Sequence, residues 1–169
     1  VRFNLPDLDV FEIDVLSLAQ TAAYPHVGTT LFNMVVNPSS GDLYVSNTNA
    51  NNATRFEGPG AFAGSTVQGD IARARITAIN PQMQTVKARP LNRHIDYSRL
   101  KGNGELKQHS VAIPTQLAIS ANGEQLYVAA MGSNKVAVYN TQELDDDALW
   151  DNQGAEFDSI KASEQHLTV

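Results

Sequence analysis

Apolar and polar residues alternate along three segments of the chain, residues 8–15, 71–79 and 135–139. In the first of these, Phe11 and Ile13 would lie on one face of a strand and polar residues on the other. Alternation with a period of two residues is typical of a strand that is buried on one face only. The pattern therefore predicts a strand in each of these segments.

Five other segments have a different pattern. Residues 31–36 and 117–119 are nearly continuous apolar runs, which are typical of strands covered on both faces. Residues 85–90 are predicted as a further strand, and a last strand is expected near residues 166–169. Residues 143–150 mix acidic and apolar side chains, so a short helix and an extended loop are both open there.

The chain contains an internal repeat. Residues 32–47 align without a gap with residues 115–130. In each copy an apolar strand leads into a polar turn that carries a glycine, Gly41 or Gly123, and the tripeptide Leu-Tyr-Val then opens a second strand. Glycine and small polar residues supply the backbone conformations that a tight hairpin requires. The repeat predicts two similar β-hairpins.

Within each hairpin the Leu-Tyr-Val tripeptide predicts which side chains face the core. Alternation places Leu43 with Val45 on one side of the first copy, and Leu126 with Val128 on one side of the second. A repeated hairpin followed by a third and a fourth strand is the unit of a β-propeller blade.

The segment Leu43-Tyr-Val-Ser-Asn47, and more loosely Leu126-Tyr-Val-Ala-Ala130, resembles the β-propeller repeat family named for its Tyr-Val-Thr-Asn signature. The resemblance covers residues 30–141. This stretch of the chain, including segments 55–60 and 92–97, is similar to propeller parts of large exported bacterial proteins. Some of those proteins carry c-type haem peroxidase-like modules. The resemblance implies an all-β fold of four-stranded antiparallel propeller blades and a periplasmic or extracellular (cell-surface) location.

The spacing of the two copies sets the predicted organisation. They begin at Phe32 and Thr115, almost twice the ~40–45 residues of a plain blade. A degraded blade could lie between them, but we favour one blade with long loops inserted over residues 47–70 and 91–113. The predicted division of this partial β-propeller, residues 1–169, is then the end of a preceding blade (1–29), a blade with long loop insertions (30–113), and a following blade with an acidic tail (114–169).

This division amounts to about two and a half to three blades, whereas closed propellers need at least about four. An incomplete propeller leaves sheet faces and edges uncovered. We therefore expect a fragment of a larger propeller, or an association of fragments. The expected partner is a protein partner or the remainder of the propeller.

Composition excludes several classes of function. The formal net charge is −6, which disfavours nucleic acid as a partner. No run reaches the roughly 18 consecutive apolar residues of a membrane-spanning helix. There is no cysteine, which excludes disulfides, thiolate metal ligands and covalent haem attachment within these residues.

Charge is unevenly distributed along the chain. Residues 71–107 contain eight basic and two acidic residues, whereas residues 140–169 contain eight acidic residues and one lysine. Such asymmetry indicates either an anion-binding face with an acidic tail or two regions that attract each other. Both interpretations are open at this stage.

Three polar residues in or beside the long insertions are the candidate binding residues: Asn47, Arg55 and His94. Loops longer than about 12–15 residues are frequently functional. His94 is the best single candidate for chemistry, because arginine, aspartate and tyrosine lie in the same short segment. The chain contains no nucleophile elbow, phosphate-binding loop or dinucleotide motif, so no catalytic residue is assigned.

The acidic segment raises a metal hypothesis. Asp145, Asp147 and Asp151 are candidate calcium ligands, because hard cations prefer several carboxylate oxygens. The EF-hand spacing is not present, and adjacent carboxylates also occur on solvated faces and at helix starts. No cofactor is predicted.

The sequence thus predicts a non-catalytic β-propeller module for protein or ligand interaction in an exported bacterial protein. The alternative is part of a propeller enzyme, either a lactonase-like hydrolase or an oxidoreductase associated with a haem peroxidase. That alternative rests on analogy of fold.

Overall fold

The computed structural model describes residues 7–51, 70–97, 104–152 and 165–168. These residues form strands joined by turns and a few short helices. The strands are β1 (Val10–Ile13), β2 (Gln20–Tyr24), β3 (Thr30–Val36), β4 (Leu43–Ala50), β5 (Ala72–Asn80), β6 (Thr85–Pro90), β7 (Pro114–Ile119), β8 (Gln125–Ala130), β9 (Lys135–Asn140) and β10 (Gln165–Thr168). The helices are α1 (Gly104–His109), α2 (Thr141–Asp145) and α3 (Asp147–Asn152), with a 3₁₀ turn at Met131–Ser133.

The described strands form three antiparallel sheets, and within each sheet consecutive strands are paired. The first sheet is β1–β2, the second is β3–β4–β5–β6, and the third is β7–β8–β9–β10. The alternating segments and the two apolar runs are all strands, as predicted. Strand β2 and helix α1 were not predicted, and the acidic segment 143–150 lies in the short helices α2 and α3. The fold is all-β, built of antiparallel sheets.

The two copies of the repeat form equivalent hairpins in different sheets. Val36 pairs with Leu43 beside the first turn, and Ile119 pairs with Leu126 beside the second. Gly41 and Gly123 have φ values of 81° and 76°, in the left-handed region that favours glycine. The prediction of two similar hairpins is confirmed.

The second and third sheets pack face to face around the larger of two hydrophobic clusters. Tyr44 and Ile76 of the second sheet belong to the same cluster as Leu126 and Val128 of the third, and all four side chains are fully buried. Trp150 of α3 is also part of this cluster. Burying a large apolar side chain contributes about 1.5–3 kcal/mol relative to leaving it exposed.

The opposite face of the second sheet is covered by the β1–β2 sheet. Val45 and Ile79 of the second sheet pack there against Val10, Tyr24 and Val27. The adjacent residues Tyr44 and Val45 are therefore both buried, on opposite faces of one strand. The second sheet is the middle layer of three.

One expectation about the apolar run 31–36 is wrong. Phe32, Met34 and Val36 are 39%, 49% and 54% exposed, although the continuous run indicated a strand covered on both faces. They lie on the face of the second sheet that the β1–β2 sheet covers at β4 and β5. Met34 is on this face because it pairs directly with Val45, which packs against the β1–β2 sheet. The β1–β2 sheet has only two strands among the described residues and does not extend over this part of β3.

A close backbone approach at Gly28 generates a stability prediction. A Cβ atom there would lie 2.5 Å from Oδ1 of Asn47, which is buried and hydrogen-bonded. We expect Gly28→Ala to lower the free energy of unfolding by about 2–4 kcal/mol, because Asn47 must shift and lose partners. Gly41→Ala is the control: its Cβ meets nothing within 4 Å, so only backbone strain of about 1–2 kcal/mol is expected. Urea unfolding of both variants measures the difference, and equal losses would contradict the prediction.

Candidate functional site

The antiparallel topology separates two ends of the sheets. The long connections 51–71 and 91–113 leave the second sheet at one end, which we call the loop end. The short turns 37–42, 81–84 and 120–124 lie at the opposite end, which we call the turn end. The insertions predicted over residues 47–70 and 91–113 both begin and end at the loop end, but the start predicted for the first is wrong, since residues 47–50 continue strand β4.

Asn47 is buried near the loop end and hydrogen-bonds to three other residues. Its side chain is fully buried, and its Nδ2 donates to the carbonyl of Val45 and to Oγ1 of Thr77, each at 2.9 Å. Its Oδ1 accepts a 2.8 Å hydrogen bond from Nε of Arg75. With both polar atoms engaged, Asn47 positions Arg75, and its role as a ligand contact stays a prediction.

His94 lies in the segment that follows β6. Its Nε2 is 3.5 Å from Oγ of Ser110, but the Ser110 hydroxyl donates to the carbonyl of Leu106. The segment is fastened by Asn92, whose side chain donates to and accepts from the backbone of Val111, each at 2.8 Å. No hydrogen bond of the described residues joins His94 to Asn47.

Arg55, the third candidate, lies outside the described residues. Its prediction as a binding residue therefore stays a prediction.

A pocket with three arginines opens at the loop end. We call it the arginine pocket and define it by Arg73, Arg75 and Arg93; its volume is about 370 Å³. Strand alternation explains the cluster: Arg73 and Arg75 lie on one face of β5, and Arg75 pairs directly with Pro90 of β6. Sequence reasoning noted the basic run 71–107 but did not single out these arginines. The signal it lacked was which face of the sheet carries each charge.

The guanidinium of Arg73 is already neutralised by a carboxylate. It forms a two-pronged ion pair with Asp70, with Nη2 at 2.6 Å from Oδ2, and lies 4.0 Å above the centroid of the Tyr97 ring. The hydrogen bonds to Asp70 raise the pKa of Arg73. Burial raises the pKa of Tyr97, so this phenol stays protonated near neutral pH.

Arg75 and Arg93 are held by neutral groups instead. Nη2 of Arg75 donates to the carbonyl of Val27 at 2.7 Å, in addition to its bond to Asn47. Arg93 donates to the carbonyl of Trp150 and lies 5.1 Å from the centroid of its ring. Burial lowers the pKa of Arg75 and the nearby carboxylate of Asp9 raises it, and a guanidinium stays charged at neutral pH. Neither arginine forms an ion pair with a described carboxylate.

The three calcium candidates lie in α2 and α3 and have separate environments. Asp145 accepts hydrogen bonds of 2.7 and 2.9 Å from the hydroxyl of Tyr44. Asp147 forms ion pairs with Lys87 at 3.2 Å and Arg89 at 2.7 Å, and Asp151 is exposed in α3. Among the described residues no group of three or more histidine or acidic side chains is arranged to hold a metal ion. The calcium hypothesis stays a prediction.

Part of the charge asymmetry is explained by attraction between the two regions. Arg89 donates from Nε to the carbonyl of Leu144 at 2.6 Å and pairs with Asp147. Lys87 donates to the carbonyl of Asp145 at 2.7 Å. These contacts fasten the acidic helices α2 and α3 to β6. The arginines on the other face of the sheet are not used in this way.

Fold and geometry together define an all-β protein of stacked antiparallel sheets with a cationic pocket at one end. No helix in the described ranges is long and apolar enough to cross a membrane. No protein-family model matches the chain, and the search of curated proteins found no match.

A search of solved structures found a similar fold in the hydrazine synthase of Kuenenia stuttgartiensis. The TM-score is 0.57 at 19% sequence identity, and the match covers 78% of this chain and 32% of that chain. At this identity the likeness concerns the fold alone. The chain spans about a third of the length of the structure that it matches.

The buried position of Asp145 predicts a pH effect on stability. Burial raises the pKa of Asp145 to about 6, which outweighs the lowering by Tyr44, Lys87 and Arg89, while Asp42 raises it further. The folded state therefore binds this proton more tightly than the unfolded state, and the contribution of Asp145 to stability falls as pH rises from about 4 to about 6. Asparagine has no such proton.

We therefore expect Asp145→Asn to gain stability relative to the unmodified protein between pH 4 and pH 6, by about 1–2 kcal/mol after allowance for solvent screening at this half-buried group. Chemical unfolding at several pH values measures this. Asp151→Asn, which removes one exposed carboxylate from α3, is the matched control. The prediction fails if the two variants have the same pH dependence.

Proposed function

We propose that the chain is a non-catalytic β-propeller segment, of the repeat type with a Tyr-Val-Thr-Asn signature, that serves as an interaction module in an exported bacterial protein. We place that protein in the periplasm or at the cell surface. Its partner in this proposal is the remainder of the propeller, which supplies the strands that would cover the exposed apolar side chains of β3.

The observation that carries the proposal is the orientation of the repeated tripeptide. In the first copy Leu43 and Val45 point toward the preceding sheet, and Tyr44 points toward the following one. In the second copy Leu126 and Val128 also point toward the preceding sheet. In a propeller, successive blades stack so that the same face of each sheet packs against the preceding blade.

The approach of β3 and β7 supports the same arrangement. These first strands of the second and third sheets lie side by side, and Nδ2 of Asn33 donates to Oε1 of Gln116 at 2.9 Å. Oγ of Ser46 in β4 also donates to the backbone carbonyl of Thr115 at 2.6 Å. Sheets that converge at their first strands are expected where blades surround an axis.

The exposed side chains of β3 indicate the kind of occupant. Phe32, Met34 and Val36 continue the interface at which Val45 and Ile79 already pack against the β1–β2 sheet. In the described residues β1 pairs with a strand on one side only, whereas the other two sheets have four strands each. Two further antiparallel strands along β1 would complete a four-stranded sheet and cover the apolar strip.

The non-catalytic part of the proposal is supported by how the candidate groups are used. The side chain of Asn47 is consumed by structural hydrogen bonds, and Asp147 is ion-paired. The hydroxyl of Ser110 donates to a backbone carbonyl instead of to His94. These contacts hold the fold together and leave these groups engaged.

Methionine oxidation tests the proposed partner. Met34 lies in the apolar strip, and Met83, 74% exposed in the β5–β6 turn, is an internal control. In the isolated chain both should oxidise readily with hydrogen peroxide. In the protein purified under native conditions from its source, we expect the rate at Met34 to fall at least about fivefold relative to Met83, because oxidation follows exposure. Peptide mass spectrometry gives both rates.

Three results would contradict the proposal. An unchanged ratio of the two rates in the native protein would mean that nothing covers the strip. Protection of Met34 in the isolated chain that grows with its concentration would identify a second copy as the occupant. Turnover of a lactone or of peroxide by the chain alone would contradict a non-catalytic role.

A further inference from the structure

We propose that the arginine pocket binds a small organic anion, with a carboxylate head at Arg75 and Arg93 and an apolar body against the pocket wall. This inference concerns a different surface from the apolar strip of β3 and goes beyond the proposed module function. It stands on the charge balance, the wall and the rigidity of the pocket.

The charge balance favours an anion. Of the three guanidinium groups that line the pocket, that of Arg73 forms an ion pair with Asp70, and it is the one ion pair of these three groups within the described part of the chain. Arg75 and Arg93 are held by amide and carbonyl oxygens, which fix their positions but do not cancel their charge. Asp96 is exposed in the same segment and does not line the pocket. The carboxylate of Asp9 offsets part of the charge of Arg75, and Arg93 has no ion-pair partner among the described residues. The pocket therefore keeps a net positive charge, and partial burial strengthens its interaction with an anion.

The wall of the pocket favours an apolar body. Ala88 and Pro90 of β6 lie on the same face of the sheet as Arg75, and Ile95 and Tyr97 of the segment after β6 also line the pocket. An open volume of about 370 Å³ is at the small end of the range for ligand pockets. A bare inorganic ion would leave this wall uncovered.

A carboxylate head suits the arginines of the pocket, because a guanidinium fork matches the two oxygens of a carboxylate. Asn92 also lines the pocket, but its amide is engaged by the backbone of Val111 and by the hydroxyl of Tyr97. The other polar side chains of the lining include Asn49, Arg75 and Arg93.

The positions of the arginines are set before any ligand arrives. Arg75 is fixed by the buried Asn47 and by the carbonyl of Val27, and Arg93 by the carbonyl and ring of Trp150. Donors that are already ordered lose little conformational freedom on binding. The site therefore requires no rearrangement of the described residues.

Benzoate, benzamide and inorganic phosphate are suitable probes. Benzoate carries the carboxylate and an apolar ring, benzamide has the same shape without the charge, and phosphate has charge without the ring. We expect saturable benzoate shifts of the arginine Nε–Hε signals of Arg75 and Arg93 in nitrogen-15 NMR spectra. Binding of benzamide and of phosphate should be at least about tenfold weaker.

Two variants and one control locate the binding. Arg93→Gln and Arg75→Gln should each weaken benzoate binding about tenfold, since each removes one charged fork. Lys107→Gln removes one exposed positive charge from α1 outside the pocket, and it should leave the affinity unchanged. Thermal unfolding verifies that each variant is folded. If Arg75→Gln does not fold, Arg93→Gln still decides the test.

Three results would overturn the inference. The first is equal binding of benzoate and benzamide, which would remove the role of the charge. The second is equal binding of benzoate and phosphate, which would remove the role of the apolar wall. The third is an Arg93→Gln variant that is folded and binds benzoate as tightly as Lys107→Gln.

Discussion

Burial of both faces of the second sheet is the constraint on which the other features of this structure depend. Tyr44 and Val45 are neighbours in sequence and are buried on opposite faces of β4, against different sheets. Each large side chain buried in this way contributes about 1.5–3 kcal/mol, whereas an exposed ion pair contributes about 0–1 kcal/mol. Apolar stacking of the three layers therefore dominates, and the polar contacts adjust to it. The same stacking brings the long connections together at one end.

Polar groups that this stacking buries must find partners inside the protein, and their network prepares the candidate site. Asn47 is buried between the β1–β2 sheet and the second sheet, where an unpaired amide would cost about 1–3 kcal/mol. It is paired with Val45, Thr77 and Arg75. Asn47 thus forms hydrogen bonds within the core and also holds the guanidinium of Arg75 at the pocket. Stability and pocket geometry are coupled through this side chain.

The basic run has two uses because strand alternation divides it between two faces. On β6, Lys87 and Arg89 point toward the acidic helices and fasten α2 and α3 to the sheet. On β5, Arg73 and Arg75 point to the opposite face and line the pocket. The sequence analysis left mutual attraction and an anion-binding face as alternatives. Contacts in the structure account for the first at Lys87 and Arg89. The positive charge of Arg75 and Arg93 at the pocket is the physical basis for proposing the second.

The amino-acid sequence by itself determined the strands and the two hairpins, because alternation, glycine turns and the repeated Leu-Tyr-Val tripeptide are local signals. It also located the two long insertions, although Asn47, predicted at the start of the first, lies within β4. Which faces are covered was decided by the tertiary structure: the apolar run containing Phe32 and Met34 indicated burial on both faces, but coverage depends on how far the neighbouring sheet extends. Likewise, Arg75 became a site residue only through the register that pairs it with Asn47 and Pro90. Contacts between residues far apart in sequence leave no local pattern to read.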